Sequence, residues 1–243
     1  MAERTAGIIV IGNEILSGKV TDANSPFMAE GLRAAGVELR RIVTIPDEVD
    51  LIAQAVRSFH ESYDLVFTSG GVGPTHDDVT MDGIAGGLDR KVVVHPDLEA
   101  GIRRHVKGEV NAAHLKMAEV PEGAVLIHDE GVGFPTIQVE NIYILPGIPE
   151  ILRRKFDALR VRFQAEPYHL KIIYTRWNES EIAGALNQTM NEFPELLLGS
   201  YPKIDNPEYR VKLTVESKDE AYAKRAFDRL LALLTEAAVV RTE

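Results

Sequence analysis

The sequence predicts an α/β protein, a parallel sheet covered on both faces by helices, with a small α+β unit behind it. Three observations carry that reading. Over the first two thirds of the chain, short β-branched runs alternate with segments whose apolar residues recur at helical spacing. The strand-like runs lead through short glycine- or aspartate-containing loops into the next helix, and such alternation implies right-handed crossovers in a parallel sheet. Near Ala165-Glu-Pro167 the pattern changes to β-α-β-β-α-β, the order of a ferredoxin-like unit. The expected domains are residues 1–165 and 166–243.

Residues 6–12, Ala-Gly-Ile-Ile-Val-Ile-Gly, read as a buried strand ended by glycine. Phe27, Met28, Leu32 and Ala35 give a helix over 23–35, which Gly36 stops. A strand over 37–45 leads through Pro46-Asp47 into a helix over 49–61, where Leu51, Ile52, Ala55, Val56 and Phe59 make one apolar face. Asp64-Leu-Val-Phe-Thr68 is a further buried strand, and 79–88 reads as helix. The next fifty residues are less regular, with strands at 91–94 and 124–128 and a helix over 96–107. Runs 137–139 and 142–145 flank Glu140-Asn141 as a hairpin, and a helix extends to about Arg162. The second unit reads as strand 170–174, helix 179–190, strands 196–201 and 209–215, helix 219–234 and a last strand at Val239-Val240. Trp177 is expected to pack between the domains, and Tyr201-Pro202 to mark a turn.

Composition narrows the function classes. Hydrophobic residues at 45% and charged residues at 26% are those of a folded globular chain. A net charge of −10 argues against general affinity for nucleic acid or an anionic membrane, which needs clustered Lys and Arg. It leaves room for one phosphorylated small molecule, because backbone amides and a cation supply positive field locally. The absence of cysteine excludes disulfides, thiolate zinc sites and cysteine nucleophiles. No long apolar run suggests a signal peptide or membrane span, so a cytoplasmic location is expected.

The strongest local signal is Thr68-Ser69-Gly70-Gly71-Val72-Gly73-Pro74-Thr75-His76-Asp77-Asp78-Val79-Thr80. Three glycines within four residues after a buried strand let backbone approach a ligand without Cβ obstruction, and successive amides make an anion-binding concavity. The following helix adds its N-terminal dipole, and Ser69, Thr75 and Thr80 add hydroxyls. Asp77 and Asp78 would repel phosphate unless a divalent cation such as Mg²⁺, Mn²⁺ or Co²⁺ bridges carboxylate and phosphate. Either aspartate can instead cap the helix that follows. The loop is not a Walker A motif, since no Gly-Lys-Ser/Thr ends it. Two other strand ends are expected to converge on it. One carries Gly12, Asn13 and Glu14, with Asp22 or Asn24 capping the next helix. The other carries Asp47, itself a natural N-cap.

Gly12-Asn-Glu-Ile-Leu-Ser-Gly18, Asp22-Ala-Asn24, Pro46-Asp47, the loop Gly70 to Thr80 and Leu145-Pro-Gly-Ile-Pro-Glu150 together resemble the molybdopterin-binding (MoaB/Mog-like) domain family. The subtype resembles the amino-terminal domain of CinA and is similar to the corresponding domain of eukaryotic FAD synthases. Leu198-Gly-Ser-Tyr-Pro202 and Val211-Lys-Leu-Thr214 extend the likeness into the C-terminal unit. The resemblance implies a three-layer α/β/α fold and a homo-oligomer. It also implies a nucleotide or pterin ligand at the glycine loop, near Pro146 and Gly147. Asp47 and Asp78 match the family's paired acidic positions, and Asp77 and Glu14 match adjacent ones, so Asp47, Asp77 and Asp78 are the implied metal ligands. Two segments depart from the CinA-like pattern: Asp129-Glu-Gly-Val-Gly-Phe-Pro135, and Lys116-Met117-Ala118 where Lys-Gln-Ala is usual. Lys116 is retained and suits a phosphate, although an exposed helix lysine needs no such role.

Two activities follow as expectations. The first is metal-dependent hydrolysis of a nucleotide pyrophosphate of the ADP-ribose or FAD type, with Asp47 and Asp78 as catalytic carboxylates. The alternative is molybdopterin binding or adenylyl transfer in cofactor synthesis, or nucleotide binding without turnover. Nicotinamide-nucleotide deamidation and FAD synthesis are not expected within these 243 residues. His76 lies in the loop, whereas His95, His105, His114 and His128 share no metal-ligand spacing.

Overall fold

The computed structural model describes residues 4–128 and 133–243, so four residues of the segment 129–135 lie outside the described part. The chain forms two compact units, Met1–Ala165 and Glu166–Glu243. The first is built on β1 (Thr5–Ile11), α1 (Asn13–Leu16), α2 (Asn24–Ala34), β2 (Glu38–Ile45), α3 (Val49–Ser62), β3 (Leu65–Ser69) and α4 (Thr80–Gly87). It continues through β4 (Val92–Val94), α5 (Pro96–His105), α6 (Ala112–Lys116), β5 (Glu119–Pro121), β6 (Val125–Ile127), β7 (Thr136–Val139), β8 (Ile142–Leu145) and α7 (Pro149–Arg160). The short α1, α6 and β5 are absent from the sequence expectation, because four- or five-residue helices and three-residue strands hold too few periodic positions to register.

Six strands form one sheet in the order β2-β1-β3-β8-β7-β6. β2, β1, β3 and β8 pair in parallel, while β7 runs against both its neighbours. The expected parallel sheet is therefore a mixed one, made so by the hairpin at Glu140-Asn141. Alternation along β1 divides the core in two. Ile8 and Val10 join Met28 and Leu32 of α2 and Leu152, Phe156 and Leu159 of α7 on one face. Ile9 and Ile11 join Ile52, Val56 and Phe59 of α3 and Ile84 of α4 on the other. Strand side chains alternate faces with period two, so a run that is apolar at every position serves both layers. Phe67 centres the first layer, with its ring 5.4 Å from Tyr143, 5.5 Å from Phe156 and 5.6 Å from Phe163.

Helix α4 lies close against α3 because Gly83 and Gly87 have no side chains there. A Cβ on Gly83 would sit 2.4 Å from Ile52 Cγ2, and one on Gly87 would sit 2.7 Å from Ala53 O. This close packing fixes the start of α4, and with it the end of the glycine-rich loop.

The second unit comprises β9 (His169–Thr175), α8 (Glu179–Glu192), β10 (Leu197–Pro202), β11 (Val211–Ser217), α9 (Glu220–Leu233), α10 (Thr235–Ala238) and β12 (Val239–Thr242). Its antiparallel sheet runs β10-β11-β9-β12, the strand order of a ferredoxin-like unit. Ile173, Leu213 and Val215 pack with Ala226 and Leu230 of α9 in its core. Trp177, placed between domains by the sequence, packs against this core. Tyr201 and Pro202 complete β10 rather than forming a turn, because they pair with Lys212 and Val211. No helix of the described residues is long and apolar enough to cross a membrane.

Candidate functional site

The carboxyl ends of β1, β3 and β8 lie side by side, so the loops that follow them share one place. Gly12 N donates to Ile45 O (3.1 Å) and Gly70 N to Leu145 O (3.2 Å), which extends the ladder one residue into each loop. The glycine loop then turns through left-handed backbone, with φ +108° at Gly70 and +64° at Gly71. A Cβ on Gly70 would lie 2.1 Å from the Ile11 carbonyl oxygen, and one on Gly71 would lie 2.2 Å from Thr80 Oγ1. Neither position admits a side chain. Buried Thr80 closes the loop on itself, its hydroxyl donating to Gly70 O (2.9 Å) and its N–H to Gly71 O (3.1 Å). Among the described residues, the amides of Gly71, Val72 and Gly73 donate to no protein acceptor. Three successive unclaimed N–H groups are the elements of an anion-binding nest.

Neither aspartate of the loop caps α4, whose N-terminus at Val79 has no side-chain cap. Asp78 turns back instead, and its Oδ2 accepts from Thr75 N (2.8 Å) and Thr75 Oγ1 (2.5 Å). Lys116 Nζ donates to Thr75 O, so a cation from α6 holds the same turn. Asp47 does not cap α3 either, because Glu48 takes that position without a side-chain bond. Its Oδ2 accepts from Asn13 N at 2.8 Å, which supports the start of α1. At α2 the capping acceptor is Asp22, whose Oδ1 takes the N–H groups of Asn24 (2.9 Å) and Ser25 (3.0 Å).

These loops bound a cavity of about 550 Å³, within the size range of small-molecule sites. Of the residues singled out in the sequence, Gly70, Gly71, Gly73 and Pro74 form one wall, and Pro146 and Gly147 the wall beside it. Glu14, Asp78 and Lys116 also line it. Gly12, Ser69 and Thr80 are buried and do not line it, and Asn13, Thr75, Asp47 and Asp77 are not among the lining residues either. His76 is almost wholly exposed. The lining residues that were not anticipated include Asp82 in the first turn of α4, Glu119, Phe134 and Lys155. Lys155 had a legible signal, because it shares the core-facing spacing of Leu152, Phe156 and Leu159 on α7. It is 4% exposed, and its Nζ donates to the carbonyls of Phe134 (2.5 Å) and Pro135 (2.8 Å). Met81, Met117, Phe134, Ile144 and Ile151 make much of the remaining wall apolar.

Among the described residues, no group of three or more His, Asp or Glu is gathered to hold a metal. The expected trio of Asp47, Asp77 and Asp78 is therefore not a preformed cage. The cavity carboxylates Glu14 and Asp82 have no protein hydrogen-bond donor among the described residues, and Asp78 keeps Oδ1 uncommitted. Such a donor set fits a hard cation that takes one or two carboxylates together with phosphate oxygens and water.

Residues 7–164 match the family described as "Probable molybdopterin binding domain". The chain belongs to this molybdopterin-binding domain family. Its second unit, residues 167–243, matches the family described as "FAD synthase, middle domain". A protein of Archaeoglobus fulgidus is 36% identical over 229 residues, covering 94% of this chain and 97% of its own. A "Probable FAD synthase" of Caenorhabditis elegans is 30% identical over 259 residues, covering 95% of this chain but 50% of its own length. The crystal structure of CinA from Thermoplasma acidophilum, a protein described as of unknown function, is 31% identical with a TM-score of 0.61. It aligns with 66% of this chain and 98% of that one. Membership in the molybdopterin-binding family points the N-terminal unit to small-molecule binding.

Proposed function

We propose that the N-terminal unit hydrolyses a nucleotide pyrophosphate, of the ADP-ribose or FAD type, in the cavity beside the glycine loop. The observation that carries this is the nest itself, three successive unclaimed amides on a loop where Gly70 and Gly71 admit no Cβ. A pyrophosphate there would be met by backbone N–H groups and by Lys116, while the apolar wall around Met117 and Phe134 takes a flat ring. Among the relatives, the match to an FAD synthase favours a flavin nucleotide.

The chemistry is displacement at phosphorus. The oxygen of water bonds to one phosphorus, the bridging P–O bond breaks, and AMP leaves with ribose phosphate or FMN as the other product. Asp82 is the cavity carboxylate left to take the water's proton. The amides of the loop stabilise the charge that develops on the departing phosphate. A divalent cation shared between Asp78, Glu14 and the phosphates would offset the repulsion between carboxylate and ligand and acidify bound water. The cytoplasmic location expected from the sequence and the homo-oligomeric assembly implied by the family resemblance belong to the same proposal.

The family description favours a second reading, in which the cavity holds a pterin or its adenylylated form without hydrolysis. Incubation of the full chain with ADP-ribose, FAD and ATP, each with Mg²⁺, Mn²⁺ or Co²⁺, separates the two. Release of AMP, lost in Asp78→Ala, is the expected result. Retention of the intact nucleotide by folded protein without product would reject hydrolysis and leave the binding reading.

A further inference from the structure

Behind the glycine loop, one buried side chain joins two walls of the cavity. Asp22 holds the backbone of Asn24 and Ser25, so the Asn24 carboxamide enters the interior at the start of α2, where it is 7% exposed. Its Nδ2 makes two bonds there, donating to Ser69 Oγ (3.0 Å) and to the carbonyl of Gly147 (2.8 Å). Ser69 is the residue before Gly70, and Gly147 lies in the loop after β8. The two loops touch at this point, since a Cβ on Gly147 would lie 3.4 Å from Gly70 Cα.

The arrangement needs a particular side chain. Two acceptors on different loops must be served from one atom, and a carboxamide nitrogen carries two hydrogens for them. A serine hydroxyl has one, and an ionised aspartate has none. The other end of the group joins no polar network, because Asn24 Oδ1 and the adjacent Ser25 Oγ are buried without hydrogen-bond partners among the described residues. A buried acceptor left unpaired works against folding, so a polar group here calls for a compensating role, and the Nδ2 bridge is the role available.

We propose that Asn24 is a positioning residue that sets the distance between the Ser69-Gly70 and Pro146-Gly147 loops. The amides of Gly71, Val72 and Gly73 then meet a phosphate group together. The assignment rests on the phosphate-nest reading above and deepens it, placing affinity for the phosphate under the control of a residue that does not line the cavity. A misplacement of about 1 Å is enough to cost about a hundredfold where several groups must act at once.

The test is calorimetric binding of inorganic pyrophosphate, with Mg²⁺, to the full chain and to Asn24→Asp. The variant keeps the size of the side chain and removes both donors. A loss of binding of about tenfold or more is expected at pH 7.5 while the variant still melts cooperatively. The loss should shrink as pH falls toward 5, relative to the parent protein at the same pH. A carboxyl buried against the Gly147 carbonyl takes up a proton more readily than a free one and regains a donor for that carbonyl. A purely structural role would not produce that recovery. Binding within twofold of the parent at both pH values would overturn the assignment. Should Asn24→Asp not fold, Asn24→Ser, with one donor on a shorter arm, is expected to lose binding similarly, and its full retention would overturn it. If the parent protein binds no pyrophosphate, the nest reading itself fails, which is a distinct result.

Discussion

Replacing Gly70 by alanine tests the conformation of the loop at its tightest point. Two penalties combine there. The first is backbone strain, since φ of +108° places an L-residue outside its allowed regions, at about 1–3 kcal/mol. The second is collision, because the new methyl would lie 2.1 Å from the Ile11 carbonyl oxygen, a backbone atom with no rotamer to escape into. Relief requires the loop and β1 to part by roughly 1 Å, at an overpacking cost of about 1–3 kcal/mol. Gly18→Ala isolates the strain, because Gly18 has φ +71° but nothing within 4 Å of its Cβ position. Its expected cost is about 1–2 kcal/mol. Gly101→Ala, inside α5 with open space around it, should be stabilising by about 0.5–1 kcal/mol. Equilibrium urea unfolding of the three variants gives the ranking, and pyrophosphate binding by Gly70→Ala reports the displaced nest. If Gly70→Ala unfolds within about 0.5 kcal/mol of Gly18→Ala and binds as the parent does, the argument that Gly70 seals the loop against β1 is wrong.

Other substitutions probe the cavity wall and the C-terminal unit. Lys155→Met strips the donors from two carbonyls beside the cavity, Phe134 and Pro135. A loss of about 2–4 kcal/mol in thermal or urea unfolding is expected, and an unchanged midpoint would mean those carbonyls find other donors. In the second unit, the Arg229 guanidinium and the Gln188 amide hold the Glu192 carboxyl down to about 2. Its folded value is depressed, so its contribution is full above the unfolded value of about 4.3 and fades as pH falls from there toward 2. Glu192→Gln should therefore lower stability by a constant amount above pH 6 and flatten the acid limb of the profile, so that variant and parent converge as pH falls from about 4.3 toward 2. A variant whose acid limb overlays the parent's would show the pair is screened away at this exposed position.

The fold was legible because its signals are local and repeated. The apolar runs at 6–12 and 64–68 and the helical spacing in 49–61 each carry several agreeing positions, and the structure has an element at each. The segment 91–128 was less legible, since β4, β5 and β6 are three residues each and α6 is five. Capping was misjudged for a related reason. Asp47, Asp77 and Asp78 stand where caps are common, but which donor a short carboxylate reaches depends on how the surrounding chain is turned, which residue type alone does not state. For Asp47 that donor belongs to Asn13, and for Asp78 it is a hydroxyl within its own turn.

By itself, the sequence determined the alternation of strands and helices, the change of pattern near residue 165, and the glycines at which the loop must bend. These follow from periodicity and from the conformations a missing Cβ permits, which neighbouring residues dictate. Only the tertiary structure decided which groups share the cavity. Asp82, Phe134 and Lys155 enter it from three separate parts of the chain, Asp47 is not among its lining residues, and Asn24 spans two loops that lie 45 and 123 residues further along the chain. Such meetings are set by strand order and helix packing, where contacts between distant residues have no counterpart in local spacing.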